Sequence, residues 1–274
     1  MFNHQGYVRV LSIIIPYFFV VGFFQFIGYG IAGVDLLEGE KATNEFDHMV
    51  IMLFTMLGTI LVVWLWNDKV DGAEKWKFKI DKLGIKLGLA IPLLIMLIGF
   101  FSLILTGQIQ VNGSHFSWTT IGWSILLFLF VSIAEEVIMR QYVLRNLMIS
   151  FHPAMALVIS SLLFSLMHFL NPSFSLLPFI NLFLAGVFLG TPYIFNRNLS
   201  FPIAGHFAWN FVQGSILGFD VSGRDTYSIF SMEIPHNTVW NGGAFGFEGS
   251  ILCIILQLIG ILIIGRIYKR RYQN

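Results

Sequence analysis

Two adjacent carboxylates, Glu135 and Glu136, are followed four residues on by Arg140, and all three trail an apolar run, Ile121 to Ile133, that carries no charge. The stretch reads as the inner part of a membrane-spanning helix, where an ionised side chain costs roughly 2.5–3.5 kcal/mol on insertion scales. Charges there need partners or a task. Glu136 and Arg140 stand in the favourable order for an ion pair, acid first and one turn apart. Glu135 points about 100° away around the same helix. One carboxylate is therefore expected to be neutralised and the other to stay available. The alternative is that all three only tie helices together.

Two further spans carry histidines. Ser161, Phe164, Ser165 and His168 share one helical face, with Phe164 one turn below the imidazole. His206 and Asn210 are again four apart, and Gln213 and Gly214 extend their face. Of the seven histidines, only His168 and His206 fall inside apolar runs; His4, His48, His115, His152 and His236 lie in loops or near span ends. Two glutamates, two histidines and an asparagine on three spans can either activate water or hold a metal. The zinc helix motif H-E-x-x-H is absent. A zinc site from scattered ligands, with Glu135, His168 and His206 as the candidates, stays open beside a site without cofactor.

The elements that must position these groups are apolar helices. The chain has 274 residues, 56% hydrophobic and 11% charged, against about 25% charged in soluble domains. An all-α polytopic membrane protein follows: a single integral domain over residues 1–274, built as a bundle of about eight transmembrane helices around an intramembrane cavity. The expected spans are Val10–Ile31, His48–Trp66, Leu87–Thr106, Ile121 to about Leu144, Ala154–Leu170, Phe174–Phe195, Pro202–Phe219 and Glu248–Ile267. The first reads as a retained anchor rather than a cleaved signal. Gly186 and Gly190 mark a close helix contact. The lone Cys253 excludes an internal disulfide, and no nucleic-acid or phosphate-loop motif is present. Between spans two and three, Lys69 to Lys86 alternates lysines with Trp76, Phe78 and Ile80, which suits either an ordinary cytoplasmic loop or a segment lying on an anionic membrane surface.

Lysine and arginine fix an expected orientation. They gather after span two, at the end of span four, after span six and in the tail, whereas the alternate loops are acidic or nearly free of them. Both termini are expected in the cytoplasm of a multi-pass cell-membrane protein. Counting 1.5 Å per residue from the span ends puts Glu135 and His206 in the cytoplasmic half, and His168 further out, roughly 21 Å from Ala154.

The order E-E-x-x-x-R (Glu135, Glu136, Arg140), F-x-x-x-H (Phe164, His168) and H-x-x-x-N (His206, Asn210) on separate helices resembles the CAAX protease and bacteriocin-processing family of intramembrane endopeptidases, which includes the type II CAAX prenyl endopeptidase. The glycine-rich stretch Asn241 to Ser250 is similar too, so the resemblance runs from Ile121 to the C-terminus, with residues 121–267 as the catalytic core. It implies a peptidase in which Glu135 and His168 activate water, His206 and Asn210 stabilise the oxyanion, and Glu136, Arg140 and Phe164 support the site. It implies a membrane-associated substrate: a CAAX-type protein, a bacteriocin leader or a signalling peptide. Members have been described as metal-free and as metal-dependent; no cofactor is expected, with zinc as the alternative. A regulatory or immunity scaffold without catalysis is the competing function. A proton-relay transporter is a third, lowered by the lack of an inverted hydropathy repeat.

Overall fold

The computed structural model describes residues 6–35, 42, 44–70 and 79–272, with the backbone alone at 69 and 70. The lysine-and-aromatic stretch around Trp76 and part of the acidic first loop lie outside these residues. Long apolar helices dominate: α1 Gly6–Ala32, α2 Glu45–Leu65, α3 Lys82–Leu105 and α4 Trp118–Glu136, then α5 Arg145–Ser150 and α6 Pro153–Met167, then α7 Leu176–Asn196, α8 Ser200–Phe211 and α9 Ile251–Tyr272. A wider π-helical stretch, Val137–Leu144, joins α4 to α5 into one rod, and another, Val212–Ile216, prolongs α8. The helix starts follow local chemistry. Asp81 and Ser117 accept backbone N–H groups at the heads of α3 and α4, and His152 caps α6 with Pro153 in its first turn.

Six segments are long and apolar enough to cross a membrane: Gly6–Ala32, Glu45–Asp68, Lys82–Leu105, Trp118–Ser150, Leu176–Asn196 and Ile251–Tyr272. The fifth and seventh expected spans are helical but shorter. α6 has 15 residues and stops at Met167 rather than Leu170, with His168 as its cap. α8 has 12 residues before its π-helical extension. Turns over 168–173, ending in Ser173 at φ 57°, consume the outer part of span five. Fifteen residues span about 22 Å, less than a hydrocarbon core of about 30 Å. The end of α6 therefore lies at membrane depth, where irregular backbone is tolerated beside a cavity.

Contacts between connections show that the helices alternate in direction. At one end the α3–α4 link and the α8–α9 loop form an antiparallel pair, β1 Gln110–Ser114 with β2 Phe230–Glu233. The head of α2 joins them through Tyr227 N–H to Glu45 Oε1 at 2.7 Å, and the α6–α7 link through Asn171 Nδ2 to Ser222 O at 3.1 Å. At the opposite end, Tyr7 N–H donates to Ser150 Oγ (3.3 Å), Arg145 to Asn67 (3.3 Å) and Asp81 N–H to Ser200 Oγ (2.9 Å). The end of α9 lies there as well, with Asn196 Nδ2 3.5 Å from Tyr272 Oη. The start of α1 and the end of α9 thus share one side, as an even number of crossings requires.

Small residues set the closest helix contacts. α7 meets α6 where Gly186 faces Ser161; a Cβ on Gly186 would stand 2.8 Å from the Ser161 Cα. α3 meets α8 at Gly88, where a Cβ would stand 2.8 Å from Phe201 O and 2.9 Å from Gly205 N. Backbone atoms cannot swing aside. Gly88→Ala is therefore expected to push α3 off α8, the helix that carries His206, and to cost roughly 1–3 kcal/mol through overpacking. A lowered melting temperature in detergent checks this. Gly22→Ala on α1, with open space at its Cβ, should leave it unchanged.

Candidate active site

Depth is settled by the length of the α4–α5 rod. The helix continues past Leu144 to Ser150 before the chain turns at Phe151 and His152 into α6. Glu135 lies 15 residues before Ser150, and His168 lies 15 residues after Pro153. Both are then fifteen residues from the same turn. The offset expected for His168 disappears, because it came from ending span four at Leu144. α8 brings His206 beside Glu135, Nε2 to Oε2 3.8 Å, six residues from its start at Ser200.

Glu136 and Arg140 pair inside the protein. Both are fully buried, Arg140 Nε is 3.0 Å from Glu136 Oε2, and Nη1 donates to Oε1 at 3.0 Å. Arg140 Nη2 donates to the carbonyl of Gly186 at 3.2 Å. The guanidinium carbon lies 4.8 Å from the centre of the Phe164 ring. That ring also abuts both imidazoles, with centroids 4.9 Å from His168 and 6.1 Å from His206. Phe164 therefore packs against the guanidinium and against both imidazoles.

Glu135 turns the other way, with its side chain 25% exposed. Its Oε2 lies 3.9 Å from His168 Nε2 and 3.8 Å from His206 Nε2, and takes no hydrogen bond from the described residues. The far nitrogen of each ring is engaged differently. His168 Nδ1 is 2.9 Å from Phe164 O, a carbonyl that can only accept, so Nδ1 carries a proton, and in the neutral ring Nε2 is the acceptor that faces Glu135. His206 Nδ1 is 2.8 Å from Glu136 Oε1, a carboxylate oxygen that already accepts from Arg140. One imidazole is thus held by a neutral acceptor and the other by an anion.

These groups open into a cavity of about 420 Å³ whose walls come from α1, α2, α4, α6, α7 and α8. Asn210, one turn beyond His206, lines it, and its amide makes no hydrogen bond to another described residue. Residues 117–212 match the family model of type II CAAX prenyl endopeptidase Rce1-like. No curated protein and no solved structure gives a match. The Rce1-like segment runs from the cap of α4 to just past α8 and contains all seven motif residues: Glu135, Glu136, Arg140, Phe164, His168, His206 and Asn210. It stops short of the glycine-rich stretch from Asn241.

One carboxylate beyond the Rce1-like segment reaches the same cavity. Glu248 is 5% exposed; it accepts from Trp209 Nε1 at 3.0 Å, from Ser222 N–H at 2.9 Å and from Ser222 Oγ at 2.8 Å. It clamps the loop after α8 to the helix turn that holds His206 and Asn210. The signal for it lay in the sequence: a lone acid in the apolar, glycine-rich stretch before α9. Among the described residues, no group of three or more His, Cys, Asp or Glu is arranged to hold a metal. Ligand atoms around tetrahedral zinc, with bonds of about 2.0–2.1 Å, lie roughly 3.4 Å apart. Glu135 Oε2 stands at 3.8 and 3.9 Å from the two Nε2 atoms, about half an ångström wider than that spacing.

Proposed function

We propose that the chain is an intramembrane endopeptidase that hydrolyses a peptide bond in a membrane-associated peptide or protein, using water activated by Glu135 and His168. The carrying observation is the unequal engagement of the two histidines around one unpaired glutamate oxygen. A water that donates both protons at about 2.8 Å spans acceptors roughly 3.5–4.5 Å apart once the tolerated bend of each hydrogen bond is included. Glu135 Oε2 and His168 Nε2, at 3.9 Å, suit that geometry. The water oxygen attacks the scissile carbonyl carbon while one proton passes to the Glu135–His168 pair. The carbonyl oxygen becomes an oxyanion. Asn210 Nδ2–H donates to it, as does His206 Nε2–H when that ring is protonated. The C–N bond then breaks, and the leaving amine takes the proton back from the pair.

His206 Nδ1 faces the Glu136 carboxylate at 2.8 Å, a contact that favours a proton on Nδ1. Glu136 is then a positioning residue: it holds His206 by Nδ1 and is itself held by Arg140. The Rce1-like match supports a CAAX-type protease, and among finer substrates a CAAX-type tail, a bacteriocin leader and a signalling peptide all share the membrane-associated character required. The surplus of Lys and Arg at the end shared by the start of α1 and the end of α9 supports a cell-membrane protein with both termini cytoplasmic.

This reaction requires no metal. Purified protein is expected to carry less than stoichiometric zinc, and cleavage of a membrane peptide should persist after dialysis against a chelator. Stoichiometric zinc on elemental analysis, with activity lost on chelation and restored by zinc, would overturn the metal-free reading.

A further inference from the structure

The cavity has a direction. From Glu135 and His168 it runs past Asn171, Ser222 and Thr226 to the exposed Arg224 and Asp225 and to His48 at the head of α2. All of these lie at the end that bears the β1–β2 pair. None of its lining residues comes from the described connections at the other end, 79–82, 150–153 and 196–200. There the buried Glu136–Arg140 pair, Tyr142 and Leu144 fill the space beneath the site.

The two ends also differ in charge. Among the described residues, the hairpin end carries Glu45, Asp47, Asp220, Asp225, Glu233 and Glu248 against Arg224. The closed end carries Lys79, Lys82, Arg197, Lys269, Arg270 and Arg271 against Asp68 and Asp81. Positive charge marks the cytoplasmic side, so the open end faces away from the cytoplasm. Arg224, Asp225 and Glu248 line the cavity itself, and the other acids lie at the same end of the protein; an acidic surface near a low-dielectric cavity concentrates cations and repels anions. Burial, and secondly the neighbouring Asp225, raise the Asp220 carboxyl from its ordinary value, and a nearby cation favours its ionised form.

We infer that substrate reaches this site from the non-cytoplasmic face, and that it is an exported peptide, or the exported segment of a membrane-anchored one, with basic residues near the bond to be cut. The inference rests on the peptidase reading and the orientation proposed above. A cytoplasmic substrate would have to pass the plug formed by Glu136, Arg140 and Leu144.

Site-directed labelling tests access without needing turnover. Single cysteines are introduced in a Cys253→Ala background at the exposed Asp225 in the mouth, at Met52 partway down the cavity and at Lys82 at the closed end; Val131→Cys replaces Met52→Cys if that variant fails to insert. A membrane-impermeant maleimide is applied to intact cells and to inside-out vesicles. The expected result is labelling of Asp225→Cys and Met52→Cys in intact cells and of Lys82→Cys in inside-out vesicles alone. Hexalysine should slow the Met52→Cys reaction about tenfold, and hexaglutamate should not. Met52→Cys reacting only in inside-out vesicles, or protection by hexaglutamate and not hexalysine, would overturn the inference. Cleavage assayed on the same membranes separates the two readings. Access from the cytoplasmic side with cleavage intact sinks the substrate class alone. Access as inferred with no cleavage sinks the peptidase.

Discussion

Glu135→Gln is expected to lower peptide-bond cleavage by ~10²–10⁴ and to leave folding unchanged, the loss typical of a removed general base. Glutamine keeps the size of the side chain and its place in the cavity wall. Glu135 Oε2 takes no hydrogen bond from the described residues, so little packing or pairing is lost with its charge. His168→Ala should behave alike: its Nδ1 satisfies only the Phe164 carbonyl at the end of α6, beside a cavity that can admit water. Cleavage in reconstituted membranes and melting temperature in detergent check both variants. Full cleavage by Glu135→Gln, with a folded but inactive Glu136→Gln, would mean that the two glutamates have exchanged roles.

Glu136→Gln should instead be a stability variant. It leaves the Arg140 guanidinium, 1% exposed, with the Gly186 carbonyl and the Phe164 ring but no anion. Breaking one side of a buried pair costs roughly 3–5 kcal/mol, because the surviving charge stays desolvated. Expression and melting temperature should fall together with activity. Adding Arg140→Met removes the stranded charge and should recover part of the stability. It should not recover the activity, since His206 would still lack the anion that holds its protonated ring. A double variant no more stable than Glu136→Gln would argue against the pair as the source of the loss.

Sequence and structure agree where local spacing decides the geometry. Glu136 and Arg140 meet because they are one turn apart. Glu135 separates from them because it is one residue out of phase. The alternating sides of the connections follow from where the lysines lie. The sequence is silent where geometry depends on how a helix ends. Nothing in Val137–Leu144, which lacks glycine and proline, signals a π-helical stretch, and the span expected to end near Leu144 continues as a rod to Ser150. That error displaced Glu135 relative to His168 by six residues. Asn171–Pro172 marked the stop of span five, but the helix yields three residues earlier and leaves His168 as a cap. Glu248 escaped because its partners, Trp209 and Ser222, are 39 and 26 residues away, beyond the reach of any helical spacing.

The most direct measurement is cleavage in ¹⁸O-water by purified protein reconstituted into liposomes with a library of membrane-anchored peptides, new termini being read by mass spectrometry. Wild type should produce new carboxyl termini that each carry one ¹⁸O, and Glu135→Gln and His168→Ala should produce almost none. Wild type that yields no new termini beyond empty liposomes, or variants that yield them at the wild-type rate, would contradict water activation by Glu135 and His168.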